Sequence, residues 1–198
     1  MFVTFEGIDG AGKSTLIAAL KSQLEREGFS VVVTREPGAG ALGGSIRNLI
    51  LNGGHISARA ELFLFLADRS EHVSTLIRPA LQAGKIVLCD RFADSTVVYQ
   101  GYGRGFDIEQ LREWNSFATD GLVPDVTFLL DLSLEISAAR AQKGDRLDLE
   151  SFEFRQRVRH GFLNEAEREP KRWFTLDASL SPESLQEQAL KLLRSRLV

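Results

Sequence analysis

Eight residues near the amino terminus constrain this chain more than any others. Gly7-Ile8-Asp9-Gly10-Ala11-Gly12-Lys13-Ser14 fits the pattern G-x-x-x-x-G-K-[ST]. The β-rich run Phe2–Phe5 precedes it. Apolar residues at helical spacing follow from Lys13 (Leu16, Ala19, Leu20, Leu24) until Gly28. In that setting the glycines let the backbone curl so that its N–H groups point inward at phosphate oxygens, and the helix N-terminus adds partial positive charge. Lys13 reaches the β- and γ-phosphates, and the Ser14 hydroxyl can ligate Mg²⁺. The segment from Gly7 to Ser14, with Thr15 behind it, is therefore predicted to bind a nucleoside triphosphate for phosphoryl transfer.

The rest of the chain repeats the same alternation. Ser30–Thr34 reads as a strand and Arg35–Gly40 as a Pro- and Gly-rich loop. A long helical pattern covers about Ala58 to Ala83, with a core stripe of Leu62, Leu66, Val73, Leu76, Ile77, Ala80 and Leu81, and ends at Gly84. Further strands are predicted at Ile86–Cys89, closing on Asp90, at Val126–Leu132 and at Trp173–Leu176; Ser181-Pro182-Glu183 opens the last helix. Short apolar strands alternating with helices predict an α/β fold with a buried parallel sheet. Ligands bind at the carboxyl ends of such strands, so Gly7–Ser14, Arg35–Gly40 and Asp90–Ser95 are expected to meet at one cleft. With 198 residues, no repeat and no linker, one domain spanning residues 1–198 is expected.

Asp90 closes its strand as an acid that holds Mg²⁺ through water would, although the same residue can serve as a helix N-cap. Arg35 and Arg91 each directly follow a strand. In a chain of net charge −3, two arginines at one sheet edge suggest a second anion beside the triphosphate. Phe65, Arg69 and His72 form a second stripe on the long helix, suited to hold a flat ring and donate to its edge. Arg140 to Arg146 (Arg-Ala-Gln-Lys-Gly-Asp-Arg) reads as a basic lid, about 140–150, that brings arginines onto a transferring phosphoryl group. A solvated helix–helix link is the plainer reading of that segment.

The charge balance offers no general attraction for nucleic acid or anionic membrane. The lone Cys89 lies in an apolar run and excludes an internal disulfide. No stretch approaches the length of a membrane span, and Met1–Phe5 lacks the basic region of a secretory signal, so the cytoplasm is the expected location.

These motifs together resemble the thymidylate kinases, nearly end to end. Arg35-Glu36-Pro37-Gly38 looks like that family's R-E-P-G loop, and Glu61–His72 (ELFLFLADRSEH) like its base-binding helix. Leu88–Gln100 (LCDRFADSTVVYQ) fits its signature, and Tyr99–Gly103, Asp145-Arg146 and Asp177-Ala178-Ser179 continue the match. The resemblance implies a P-loop NMP-kinase-like three-layer fold with a central five-stranded parallel sheet, a homodimer, and the reaction ATP + dTMP → ADP + dTDP with Mg²⁺. It assigns Asp9 to the acceptor's 3′-hydroxyl and also to the metal site with Ser14 and Asp90. Arg35 and Arg91 are assigned to the dTMP phosphate, within a substrate set that includes Glu36 and Ser95. Phe65 is expected against thymine, Arg69 at its O4, and Thr96 and Gln100 at the base edge. Tyr99 is expected to crowd the 2′ position, and Ala178, Ser179 and Leu180 to lie near adenine. Lys13, Arg91, Asp9, Arg140 and Arg146 form the expected catalytic set. The phosphate loop carries no arginine of its own, which resembles the bacterial arrangement with lid arginines.

This sequence departs from the usual R-E-P-G-G-T, continuing as Ala39-Gly40, so any contact of the threonine hydroxyl is replaced or lost. Two other readings remain at this level: a related kinase acting on an uncharged deoxynucleoside, and a nucleotide-dependent switch. Two candidate phosphate-binding arginines argue against the first, and no N-K-x-D guanine motif accompanies the second.

Overall fold

The computed structural model describes residues 1–140 and 150–197. Five strands form one all-parallel sheet: β1 (Phe2–Glu6), β2 (Val31–Arg35), β3 (Ile86–Asp90), β4 (Val126–Asp131) and β5 (Trp173–Asp177), in the order β2-β3-β1-β4-β5. Strand β1 lies at the centre, and the chain moves to opposite sides of it for β3 and β4. The loop after β1 therefore opens at the point where the strand order reverses, which is where such sheets form a crevice.

Alternation along the strands explains why they read as unbroken apolar runs. Val3 and Phe5 of β1, with Ile86 and Leu88 of β3, enter one core; Phe2, Val87 and Cys89 enter a second core on the other face. The first core is closed by α1 (Lys13–Arg26), α8 (Phe152–Arg168) and α9 (Pro182–Leu197) through Leu20, Phe162 and Leu193. Val73, Ile77 and Ala80 close the second. Both faces are dry, so polar residues in β1 need partners. The buried Thr4 hydroxyl meets that of its register partner Thr127 at 2.8 Å.

Three segments differ from the sequence expectation. A helix, α2 (Gly40–Asn52), begins at Gly40, where the sequence pattern shows only a loop. Its glycines mask a helical pattern, but Gly43 is there for close approach: a Cβ on it would lie 2.5 Å from Asp68 Oδ1 and 3.1 Å from the Gly38 carbonyl carbon. The Ala58–Ala83 helix is divided into α3 (Ala58–His72), a wide π-turn at Val73–Ile77, and α4 (Arg78–Gln82). Pro79 has no N–H to return to the preceding turn, which accounts for the break there. The predicted core stripe divides with it: Leu62 packs with Val97 and Leu111, while Val73 and Ile77 join the second core. The chain after β3 forms the single turn α5 (Ala93–Thr96), a π-turn segment Val97–Gly103 and then α6 (Ile108–Thr119). The predicted lid begins at the end of α7 (Leu134–Arg140); Asp145 and Arg146 lie outside the described residues.

Candidate active site

Two adjoining cavities open at the carboxyl edge of the sheet. The first, about 320 Å³, is lined by Phe65, Arg69, Phe92, Thr96, Tyr99 and Gln100 among others. The second, about 370 Å³, is lined by Gly12, Lys13, Ser14, Thr15, Arg35 and Asp90. Asp9, Gly10, Glu36, Arg47, Arg91 and Arg140 border both. One cavity is thus floored by the glycine loop, the other by the aromatic stripe, and a charged wall joins them.

The loop has the conformation its glycines predict. Gly7, Gly10 and Gly12 have φ of 133°, 77° and 92°. Gly7 also passes so close to β4 that a Cβ would lie 2.5 Å from the Leu130 carbonyl oxygen. Buried Ile8 and Ala11 anchor the loop in the first core. Lys13 Nζ donates to the carbonyls of Gly7 and Ile8, each at 3.1 Å, and burial pulls its pKa down to about 8. Gly12 caps α1 without a side chain, leaving the helix N-terminus open toward the cavity.

Asp90 and Ser14 meet at the cavity edge: Ser14 Oγ donates to Asp90 Oδ2 at 3.1 Å. The other oxygen, Asp90 Oδ1, is buried with no hydrogen-bond partner. Such an orphan acceptor beside a hydroxyl at a phosphate loop suits a hydrated cation. Asp9, counted from the sequence with these two as a metal ligand, meets Arg91, whose Nη2 donates to its Oδ1 at 2.8 Å. The guanidinium holds the Asp9 carboxyl below the usual carboxylate range.

Arg91 follows β3 with φ of 66°, a left-handed conformation unusual for a side chain of its size. Its backbone N–H donates to Phe5 O at 3.0 Å, Nη1 donates to Ser95 Oγ at 3.3 Å, and the guanidinium lies 5.1 Å from the centre of the Tyr99 ring. Exposed Arg35 borders only the loop-side cavity, whereas Arg91 borders both. Arg47 on α2 borders both cavities, and its Nη1 donates to Pro37 O at 2.9 Å. Sequence reasoning missed it because α2 itself was not recognised.

Arg69 is 2% exposed and held on several sides. Its Nε donates to Glu36 Oε2 (2.8 Å), Nη1 to Thr96 Oγ1 (2.8 Å) and Asn115 Oδ1 (2.5 Å), and Nη2 to Phe92 O (3.1 Å). A guanidinium has five N–H groups, so these four bonds leave one for a ligand. Thr96 accepts from Arg69 and keeps its own O–H to donate. Glu36 spends its second oxygen on His72 Nδ1 at 2.9 Å, and His72 Nε2 meets Thr34 Oγ1 at 2.7 Å. Glu36 borders the cavities but acts on Arg69. His72 falls outside them, so the stripe Phe65–Arg69–His72 contributes two residues to the pocket and one to its support. Asn115, on α6, had no motif to mark it. Gln100 is buried and donates to Glu61 Oε1 at 3.2 Å.

Arg140, at the end of α7, donates to the Ala178 carbonyl at 3.1 Å, while Ser137 Oγ donates to Asp9 O at 2.8 Å. Helix α7 therefore rests on the phosphate loop, and Arg140 at its end on the turn after β5. Ala178, Ser179 and Leu180 form the turn after β5 and border neither cavity. Ala178 is buried, Leu180 exposed, and Ser179 closes onto Asp177 Oδ1 through its N–H and hydroxyl.

Comparison with known proteins agrees with this geometry. The family model described as thymidylate kinase matches residues 5–189. A thymidylate kinase of Desulfovibrio desulfuricans is 51% identical, with 100% of this chain and 96% of that protein covered. One from a Synechococcus species is 48% identical, at 100% and 97% coverage. The crystal structure of thymidylate kinase from Ehrlichia chaffeensis superposes with a TM-score of 0.81 at 38% identity, over 98% of each chain. The chain belongs to the thymidylate kinase family.

Proposed function

We propose that this single-domain protein transfers the γ-phosphoryl group of ATP to dTMP, giving ADP and dTDP. The observation that carries this reading is the shared wall of Asp9, Arg91 and Arg140 between a phosphate-loop cavity and a pocket bearing Phe65 and Arg69. A phosphate oxygen of dTMP attacks the γ-phosphorus, the bond to the β-phosphate oxygen breaks, and ADP leaves. Little covalent chemistry falls to the protein, so positioning and charge dominate.

In this reading Lys13 and the loop N–H groups hold the β- and γ-phosphates. Arg91, with Arg35 or Arg47, holds the acceptor phosphate, and Asp9 receives the 3′-hydroxyl. Phe65 packs on thymine. The remaining N–H of Arg69 and the Thr96 O–H serve thymine O4, and Gln100 lies at the same edge. Cytosine presents an amine at that position, so it meets donor against donor. Tyr99, wedged 6.3 Å from Phe154 and 6.0 Å from Phe162 between ring centres, is held rigidly enough to exclude a 2′-hydroxyl. Arg140, on the wall shared by the two cavities, serves the transferring group, and the Ala178–Leu180 turn serves adenine.

Mg²⁺ fits Ser14 and Asp90. These two residues would hold the ion beside the phosphates, with water completing its shell. When bound, it neutralises charge that develops between the β- and γ-phosphates. A homodimer is supported by an apolar face on α3 and α6, where Phe63 is 59% and Phe117 91% exposed and the Phe63 ring lies 6.0 Å from Trp114. No described helix is long and apolar enough to cross a membrane, in keeping with a cytoplasmic enzyme.

The test is an acceptor screen with ATP and Mg²⁺ over all ribo- and deoxynucleoside monophosphates and thymidine. dTMP is expected to be preferred; preference for another acceptor, or hydrolysis of ATP unaffected by any acceptor, overturns the reading.

A further inference from the structure

Glu6 is the last residue of β1 and is completely buried. No motif assigns it a role, yet it lies beneath the turn that carries Arg91. One carboxylate oxygen accepts from the Phe92 backbone N–H at 2.8 Å; the other accepts from Ser95 Oγ at 2.5 Å. Ser95 Oγ in turn accepts from Arg91 Nη1. A single side chain thus grips the turn just after Arg91 and again at Ser95. Arg91 lies between these bonds and the one to Phe5 O, in a left-handed conformation that an ordinary residue keeps only where its surroundings enforce it.

The choice of residue is informative. Burial, with Asp94 nearby, lifts the Glu6 carboxyl to about 7, so ionisation here is unfavourable. A glutamine would avoid that cost. Phe92 N–H and Ser95 O–H meet different oxygens of Glu6, and an amide would set an N–H₂ donor against one of them. Only a carboxylate satisfies both donors and leaves the Ser95 lone pair facing Arg91.

We propose that Glu6 is a positioning residue: by accepting from Phe92 N–H and Ser95 O–H it fixes the turn that aims Arg91 at the acceptor phosphate and at Asp9. The proposal rests on the reading of Arg91 as the acceptor-phosphate anchor. It joins the two substrates mechanically, because Glu6 directly precedes the loop that holds the donor.

The test is steady-state kinetics of Glu6→Gln, Ser95→Ala, the double variant and Arg91→Ala, with dTMP and ATP varied separately, beside thermal unfolding. Glu6→Gln is expected to raise the KM for dTMP about tenfold while the KM for ATP stays within about twofold. Ser95→Ala is expected to show the same split. The double variant is expected to be no worse than Glu6→Gln, since both remove one relay. Multiplying effects, or equal rises in both KM values, overturn the proposal. If Glu6→Gln does not fold, Ser95→Ala decides alone, and an unmoved KM for dTMP overturns it. If Arg91→Ala raises the dTMP KM and Glu6→Gln does not, only the role of Glu6 falls; if Arg91→Ala leaves it unmoved, the reading of Arg91 falls as well.

Discussion

Arg91 and Asp9 meet at 2.8 Å across the mouth of the sheet, joining the residue after β3 to the third residue of the phosphate loop. The guanidinium also reaches Ser95 and lies over Tyr99. A lysine keeps the charge but cannot serve these directions at once. Arg91→Lys is expected to lower kcat/KM for dTMP by about 10²–10³-fold, on the scale of losing one preorganised donor. Initial-rate kinetics check this, and a loss confined to the ATP KM counts against the assignment.

Arg69→Ala separates recognition from stability. It removes the donor assigned to thymine O4, so kcat/KM for dTMP is expected to fall about 10²-fold or more and discrimination against dCMP to shrink, with the ATP KM little changed. It also leaves Glu36 buried beside His72 without its cation, at a cost of about 3–5 kcal/mol in unfolding free energy. Urea denaturation measures the second effect independently of the first.

Asp90→Asn can still accept from Ser14 through its one oxygen, but it removes the charge and sets an amide N–H₂ where the orphaned Oδ1 lies. The Mg²⁺ concentration for half-maximal rate is expected to rise about 10–100-fold, the range seen when an outer-shell partner of a metal is lost. A Mg²⁺ titration at saturating ATP and dTMP shows whether it does.

Glu6 predicts a pH dependence of stability with a definite sign. Its carboxyl ionises near 7 in the fold against an ordinary 4.5, so between those values the folded protein holds a proton that the unfolded chain has lost. Its contribution therefore falls as pH rises from about 4.5 to 7. Glu6→Gln has no such group. Its stability relative to wild type is expected to improve by about 2–3 kcal/mol from pH 5 to pH 8, at 1.36 kcal/mol per pKa unit. Urea midpoints of both proteins at the two pH values test it, and a constant difference refutes it.

Gly43→Ala places a methyl group 2.5 Å from Asp68 Oδ1, where α2 and α3 touch. Asp68 holds the Gly38 N–H and α2 carries Arg47, so helix separation disturbs the pocket as well as the packing. A loss of about 1–3 kcal/mol is expected, with a raised dTMP KM. Chemical denaturation and kinetics on the same preparation check both.

What was legible in the sequence was local. The loop from Gly7 to Ser14, the strands that carry it and Asp90, and the spacing of Phe65 to Arg69 follow from short-range rules: φ > 0 at glycine, short unbroken apolar runs for strands buried on both faces, neighbours one helical turn apart. Family resemblance extended that reading to an acceptor pocket. Arg47 was lost because its glycine-rich helix hides its period. Asn115 was lost because nothing local distinguishes it.

The sequence by itself determined that a parallel α/β sheet presents a phosphate loop, and which charged residues end its strands. Only the tertiary structure decided how those charges are used. It paired Asp9 with Arg91. It committed four of the five Arg69 N–H groups to the protein, and set Glu6 beneath Ser95. Each outcome depends on which buried donor lies within about 3 Å of which acceptor. Residues 23 to 89 positions apart meet only after the strand order brings them to one edge, so no periodicity in the chain records those pairings.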